Sequence, residues 1–239
     1  MNNKIILVFL VFLGFSLAGC SASKKTAGEK TGTVDAKTEK KEETPEKKEA
    51  KTVLRSVDNW LYSYSDGIME SSGRKLSTVL YDENGNMRET KVLTPGGNLE
   101  ERYTYSYDSR GNRTETIKFD SANNVQRRYT YDYNNDGRKV RTVEYRANGS
   151  IVRTYVYKYD KAGNMEEEVW KNTRGKTDQR FLYKYNSDGK KTECFNYGPN
   201  GALYYRYVYV YDQKGNQTQE IRYNKDGQPV SMIKSYYRY

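Results

Sequence analysis

Aromatic and polar residues alternate along most of the chain. In a representative stretch, Tyr103-Thr104-Tyr105-Ser106-Tyr107, every second residue is a tyrosine. Similar stretches end at Tyr133, Tyr159, Tyr185 and Tyr211, each 26 residues after the one before. Alternation with a period of two residues is typical of a β-strand with one buried face. The pattern therefore predicts an all-β fold built from a 26-residue repeat.

Two columns of glycine divide each repeat into two strands. In the first column, a glycine lies four residues after each tyrosine that precedes Asp or Asn: Gly85, Gly111, Gly137, Gly163, Gly189 and Gly215. The second column follows twelve residues later with Gly97, Asn123, Gly149, Gly175, Gly201 and Gly227. Since Asn tolerates a positive φ better than most residues, both columns are predicted to be left-handed turn positions. A three-residue hairpin loop, formed by a type I turn and a G1 bulge, fits this spacing.

This loop length predicts which side chains share a face of the sheet. The tyrosines that enter each first-column turn are expected to face inward. On the same face we expect apolar residues of the strands that leave it, namely Ile117, Phe119, Val143, Tyr145, Phe195, Tyr197, Ile221 and Tyr223. The opposite, polar face is expected to carry Arg102, Arg128, Arg180 and Arg206 with Thr90, Thr104, Thr116, Thr130 and Thr142.

The repeats predict an antiparallel meander of about a dozen short strands. Because wide sheets do not stay flat, we expect a curled sheet, a β-shell or a solenoid-like array. Residues 60–67 look like a degenerate leading copy that caps the array. The final segment, Ser235–Tyr239, is expected to be an edge strand open to pairing with another chain.

The motif Tyr-Asp-x-x-Gly-Asn, intact from Tyr81, Tyr107, Tyr159 and Tyr211, resembles the YD repeats of RHS-type proteins. The resemblance covers residues 60–239. It implies spiral β-sheets on secreted or surface-exposed proteins, some of which enclose a toxin or bind carbohydrate. The period here is longer than in the usual family repeat, and the sequence contains neither a self-cleavage core nor a toxin domain. We therefore expect neither toxin delivery by this chain alone nor a fully closed shell.

The N-terminal residues are predicted to be a targeting signal. Lys4 precedes the apolar run Ile5–Phe15, which is too short to span a bilayer with ease. The following Leu17-Ala18-Gly19-Cys20 resembles the lipobox of bacterial lipoproteins, and this implies cleavage before Cys20 and acylation of that cysteine. Residues 1–19 are thus expected to be a signal peptide, residues 20–52 a lipidated, charged and disordered tether, and residues 53–239 the repeat domain. The expected location is extracytoplasmic, with the lipid on Cys20 holding the chain to a bacterial membrane.

Composition narrows the possible chemistry. The formal net charge is +10, from 41 Lys and Arg and 31 Asp and Glu, and the acids are interspersed, so we expect a mixed-sign surface and no nucleic-acid partner. Histidine, the commonest general base and metal ligand near neutral pH, is absent from the sequence. Four aspartates begin turns, where an Asx-type hydrogen bond explains them: Asp82, Asp108, Asp160 and Asp212. Residues 134–137 come nearest to a calcium loop but concentrate too few oxygens. No catalytic residue, metal site or cofactor is predicted.

Two repeated sets of side chains are candidates for ligand binding. The first is the tyrosines Tyr103, Tyr129, Tyr155 and Tyr207, which could either stack on sugars or pack the core. The second is the arginines Arg102, Arg128, Arg180 and Arg206, which could either grip anionic groups or form a solvated face. The sequence favours a non-catalytic binding or structural module that acts in adhesion or in interaction with a protein or the envelope, and the alternative is a glycan-binding lipoprotein. The sequence leaves the oligomeric state open.

Overall fold

The repeat domain is a closed β-barrel. A computed structural model describes residues 53–239, and all of its regular elements are antiparallel β-strands. Neighbours in sequence pair from β3 to β15, β1 pairs with β2 and with β3, and β1 also pairs with the last strand. Because β2 pairs only with β1, the ring contains 14 of the 15 strands. The all-β, antiparallel prediction is confirmed. The predicted signal peptide, Cys20 and tether lie outside the described residues.

The strands have similar lengths except for one short addition to the first hairpin. They are β1 (Ser56–Ser65), β2 (Ile68–Met69), β3 (Arg74–Tyr81), β4 (Met87–Leu93), β5 (Leu99–Tyr107), β6 (Arg113–Asp120), β7 (Val125–Tyr133), β8 (Lys139–Arg146), β9 (Ile151–Tyr159), β10 (Met165–Asn172), β11 (Thr177–Tyr185), β12 (Lys191–Tyr197), β13 (Leu203–Tyr211), β14 (Gln217–Asn224) and β15 (Pro229–Arg238).

Closure of the barrel corrects three expectations. The sheet is neither an open curl nor a solenoid, because β1 and β15 pair from Ser56 with Arg238 to Ser63 with Ser231. Ser235 Oγ donates a hydrogen bond of 2.8 Å to Asn59 Oδ1 across this seam. The segment expected to cap an array is therefore the strand that closes the ring, and the C-terminal segment is not a free edge. Hydrogen bonding explains the outcome, since closure satisfies both edges of a wide sheet.

The turn chemistry is as the sequence predicts. In the turn after Tyr107, the Gly111 N–H donates to Asp108 O at 3.0 Å and the Asp108 N–H donates to Asn112 O at 2.9 Å. Gly111 has φ +82°, and Asn123, the one non-glycine in the two columns, has φ +67°. The same pair of bonds recurs at the other hairpins of both columns. The left-handed turn positions and the three-residue loops are therefore confirmed.

The predicted register is wrong by one residue beyond each turn. Tyr107 pairs with Arg113, as a three-residue loop requires, but the next pair is Ser106 with Glu115, so that Thr114 is unpaired. The same shift follows every hairpin from β3 to β15. Each one is a β-bulge, in which one strand supplies an extra residue.

One extra residue exchanges the two faces of the strand that follows. Thr116 therefore pairs with Tyr105 on the inner face, whereas Ile117 pairs with Thr104 on the outer face. Three threonines assigned to the polar face, Thr90, Thr116 and Thr142, are instead buried inside. The apolar residues expected beside the tyrosines lie on the arginine face: Ile117, Phe119, Val143, Tyr145, Phe195, Tyr197, Ile221 and Tyr223.

Candidate functional site

The inner wall carries three layers of tyrosine, and the layer nearest the Tyr-Asp turns bonds to backbone. Each of its hydroxyls donates to the carbonyl oxygen of the residue 20 positions earlier, as when Tyr159 OH donates to Lys139 O at 2.7 Å. The other members are Tyr107, Tyr133, Tyr185, Tyr211 and Tyr237. The bond fixes one repeat against the preceding one. It also satisfies a polar group that would otherwise be costly to bury.

In the middle tyrosine layer, the hydroxyls of the first four repeats bond to side chains 15 residues earlier. Tyr105 OH donates to Thr90 Oγ1 at 2.7 Å, and Tyr131 shares a 2.7 Å hydrogen bond with Thr116. Tyr183 OH donates instead to Glu168 Oε2, also at 2.7 Å. The repeat position that holds threonine in the earlier copies thus holds a carboxylate, Glu168, in a later one. An ionisable group therefore replaces a hydroxyl in the barrel interior.

The third layer contains the tyrosines that the sequence singled out as a possible sugar platform. Tyr103, Tyr129, Tyr155 and Tyr207 retain 4, 6, 1 and 1% of their accessible surface. Tyr155 OH donates to the buried carboxylate of Glu144 at 2.7 Å, and its ring meets Trp170 edge-on at 5.2 Å. These rings pack the interior, so they do not form the open concave surface that a stacking platform needs.

Buried ionisable groups occupy the middle of the barrel, and sequence reasoning missed them. Glu168 accepts hydrogen bonds from Trp170 Nε1 at 2.8 Å and from Tyr183 OH. Glu220 occupies the same repeat position and retains 6% of its surface. Burial raises the pKa of Glu220 to about 7, although the charges of Lys191 and Arg222 oppose the shift. A carboxyl group in this environment can gain or lose a proton near neutral pH.

Three cations project inward from the end of the barrel that holds the Tyr-Asp turns. The guanidinium carbon of Arg113 lies 4.5 Å from the Tyr105 ring centroid. Lys139 Nζ and Lys191 Nζ lie 4.3 and 4.2 Å from the ring centroids of Tyr157 and Tyr209. Burial lowers the pKa of Lys139 to about 8 and also lowers the pKa of Lys191. Ring faces partly replace the water that these cations lose.

A sequence signal for these cations existed. Each lies two residues after a first-column glycine, and so shares one repeat position. A three-residue loop already pairs this position with the tyrosine that enters the turn, as Tyr107 pairs with Arg113, so the predicted register also places it on the inner face.

The arginine column, by which we mean Arg102, Arg128, Arg180 and Arg206, lies on the outer wall. Each of these arginines pairs with a glutamate 13 residues earlier: Glu89, Glu115, Glu167 and Glu193. Three of the four also cover an aromatic ring of the next strand, as Arg102 covers Phe119 with 4.1 Å to the ring centroid. The arginines are half-buried or exposed, so an anionic ligand could reach them but would have to displace a carboxylate.

The repeated turn aspartates have a structural role. Asp108 Oδ1 accepts hydrogen bonds from the N–H groups of Arg110 and Asn112 at 2.9 and 2.8 Å, and Oδ2 accepts one from Asn112 Nδ2 at 3.0 Å. These hydrogen bonds lower the pKa of the Asp108 carboxyl group, and the bond from the Asn112 side chain has the largest effect. In the same way, Asn134 Oδ1 accepts from the backbone of Asp136 and Arg138. The Asx-type turns are confirmed.

Other features of the described residues bear on chemistry. Among residues 53–239, no three His, Cys, Asp or Glu side chains are placed to hold one metal ion together. Cys194 is free and fully buried, and burial raises its thiol pKa, which makes it unreactive at neutral pH. Within the same residues, no helix has the length and apolar character needed to cross a membrane.

Comparisons with known proteins identify no family. No family model and no curated protein matches the chain. Among solved structures, a porin-like protein from Bacteroides uniformis aligns over 78% of this chain and 98% of its own, with 12% identity and a TM-score of 0.45. A putative outer membrane lipoprotein-sorting protein domain from Vibrio parahaemolyticus aligns over 77% and 84%, with 10% identity and a TM-score of 0.36. The complex TcdB2-TccC3-Cdc42 aligns over 69% of this chain and 10% of that one, with 15% identity and a TM-score of 0.31. Similarities at this level support no conclusion about function.

Proposed function

We propose that the chain is a lipid-anchored, extracytoplasmic lipoprotein whose barrel serves as a non-catalytic binding or structural module in the bacterial envelope. The observation that carries the proposal is Leu17-Ala18-Gly19-Cys20 at the end of an apolar run, ahead of a charged segment and a folded domain. The repeated polar side chains of the barrel support the non-catalytic part. The turn aspartates cap loops and the outer arginines pair with glutamates, so neither set is free for chemistry.

The position at which the chain enters the barrel indicates which end of the barrel is available to a partner. Arg55 accepts a hydrogen bond from the Tyr81 N–H at 3.0 Å and donates one to Arg238 O at 2.8 Å. The domain therefore begins at the end that holds the Tyr-Asp turns. The second-column turns lie at the other end, and their loops are the part of the domain farthest along the barrel from the entry point. We propose that a partner contacts this end, since loops held by a rigid scaffold commonly carry binding residues.

Lipidation at Cys20 is the test of the anchor. The chain expressed in a bacterial host should partition with the membrane fraction, and its N-terminal peptide should carry the mass of a diacylglycerol on Cys20. Cys20→Ser should move the protein to the soluble fraction, whereas the neighbouring control Ser21→Ala should stay in the membrane. Unchanged partitioning of Cys20→Ser would refute the anchor.

Glycan binding is the second candidate, and the observation that favours it is the arginine column on the outer wall. Arg128 covers the Tyr145 ring at 5.7 Å and Arg206 covers the Tyr223 ring at 5.4 Å. An acidic glycan could exchange with the paired glutamates and stack beside these rings. Glycan-array binding should then fall for the double variant Arg128→Ala and Arg180→Ala. Identical array profiles for this variant and the wild type would exclude the outer wall as a glycan site.

A further inference from the structure

The one irregular connection of the barrel covers a small cavity. After β1 the chain forms a tight hairpin with β2 and returns through residues 70–73 to β3, whereas the later connections follow the repeat. A cavity of about 180 Å³ lies beside this return, lined by Leu61, Ser63, Glu70, Ser72, Gly73 and Arg74. A water molecule takes up about 30 Å³ in the liquid. The cavity therefore has room for a ligand of several non-hydrogen atoms, but not for a drug-sized molecule.

Arg74 brings an uncompensated positive charge to this cavity. Arg74 of β3 lies opposite the buried Leu61 of the neighbouring strand β1. Among the described residues, Arg74 forms no ion pair, and its Nη1 is shielded from solvent without a hydrogen-bond partner. A charged donor left in that state costs more than a neutral one. Because Nη1 itself is closed to water, a carboxylate in the cavity would compensate the positive charge through the part of the guanidinium group that lines the cavity.

Glu70 brings the opposite charge to the same cavity. Its N–H donates to Ser63 O at 3.0 Å, which fixes its backbone on the return segment. Glu70 is exposed, so water solvates its carboxylate, and within residues 53–239 this carboxylate forms no ion pair with Arg74 or with another cation. An ammonium group would therefore be favoured beside it, and a second negative charge would be repelled.

Gly73, which lines the cavity, also lies close to the ring of Tyr62, which does not line it. A Cβ on Gly73 would lie 2.5 Å from the Tyr62 ring, so that no side chain fits there without moving the ring. The hydroxyls of Ser63 and Ser72 complete a lining that offers hydrogen bonds between the two charges.

We infer that this cavity binds a small zwitterion, with the carboxylate of a free α-amino acid on Arg74 and its ammonium group beside Glu70. The inference goes beyond the proposed envelope role. It holds whether or not Cys20 is lipidated, because it rests on the barrel alone.

Calorimetric titration of the full chain, purified in detergent, tests this with three probes of similar size. L-Alanine has both charges, L-lactate has only the carboxylate, and ethylamine has only the ammonium group. We expect saturable binding of alanine and at least tenfold weaker binding of the other two. Arg74→Gln should weaken alanine binding more than tenfold. Glu70→Gln should weaken alanine binding and strengthen lactate binding, a reversal that a merely structural role of Glu70 would not produce.

Arg222→Gln is the matched control. Arg222 also lies on the inner wall with a buried, unpartnered Nε, but it does not line the cavity, so this variant should bind alanine as the wild type does. Gly73→Ala provides a second perturbation, which should weaken binding because it adds a methyl group at a lining residue while both charges are kept. Three results would overturn the inference: no saturable heat with alanine, equal binding of alanine and lactate, or unchanged alanine binding by Arg74→Gln.

Discussion

Glu220 should make the barrel less stable as the pH rises from acid to neutral. The carboxyl group retains 6% of its surface, and burial raises its pKa from 4.5 to about 7. The folded protein therefore holds this proton more tightly than the unfolded chain does. The stabilisation is fully present below pH 4.5 and is lost as the pH passes through about 7. At about 1.36 kcal/mol per pKa unit, the full loss is about 3 kcal/mol.

Glu220→Gln should remove this dependence, because the amide has nearly the same shape and does not ionise. The free energy of unfolding, measured by denaturant titration at pH 4.5 and pH 8, should be similar for variant and wild type at the lower pH. At pH 8 the variant should be more stable by about 1 to 3 kcal/mol. The lower limit of this range allows for a lost attraction: the ionised Glu220 carboxylate interacts favourably with the charge of Lys191, and the glutamine side chain does not.

Glu193→Gln supplies the control for this measurement. Glu193 lies on the outer wall, and although burial opposes it, hydrogen bonds from Arg206 and Lys184 lower its pKa. The stabilisation that ionised Glu193 provides therefore increases as the pH rises through the acid range. Glu193→Gln should accordingly be no more stable than the wild type at pH 8. If the difference between Glu220→Gln and wild type were the same at both pH values, the assignment of a buried, proton-binding carboxyl would be wrong.

Three further perturbations test the packing. Thr116→Val removes the 2.7 Å hydrogen-bond partner of the half-buried Tyr131, and should cost about 1 kcal/mol in denaturant unfolding, whereas the exposed Thr114→Val should cost less than 0.5 kcal/mol. Gly111→Ala forces a Cβ into a backbone with φ +82° and should lower thermal stability by about 1 kcal/mol, while Gly111→Asn should cost less; equal melting temperatures would contradict the left-handed turn. Asp58→Asn weakens the contacts with Lys75 and Arg238, both at 2.7 Å. These charges, together with a hydrogen bond from Thr78, lower the Asp58 pKa although burial opposes them. The wild-type advantage over Asp58→Asn should thus be present at neutral pH and vanish in acid; an advantage independent of pH would show that the charge is unimportant.

Local features of the fold could be predicted from the sequence because single residues encode them. Gly111 and Asn123 specify left-handed turns, and Asp108 specifies the cap of its loop. The bulge is different, because the unpaired residue is Thr114 in one hairpin and Tyr204 in another, so that no residue type marks it. Because the sequence does not reveal this one extra residue per turn, Thr116 and Ile117 were predicted on the wrong faces of the sheet.

Long-range features could not be predicted for a related reason. Closure joins Asn59 to Ser235, which are 176 residues apart in sequence, and the closing strand does not follow the repeat pattern. The buried charges were missed because Lys139 and Lys191 resemble surface lysines in sequence, although the three-residue loops already pair them with inward-facing tyrosines. The arginine column was placed correctly on the outer wall, but its pairing with glutamates depends on the same register.

The seam between β1 and β15 has a consequence for biosynthesis. The hairpins from β3 onward need only neighbouring residues, so they can form while the polypeptide is still emerging. The ring cannot close before residues 229–238 have been made, because they are the partner of the first strand. Until then the nascent sheet exposes two unpaired edges, at which strands of other molecules can add. A premature stop before β15 should therefore yield insoluble aggregates and not a smaller soluble barrel, even though nearly every repeat would be intact.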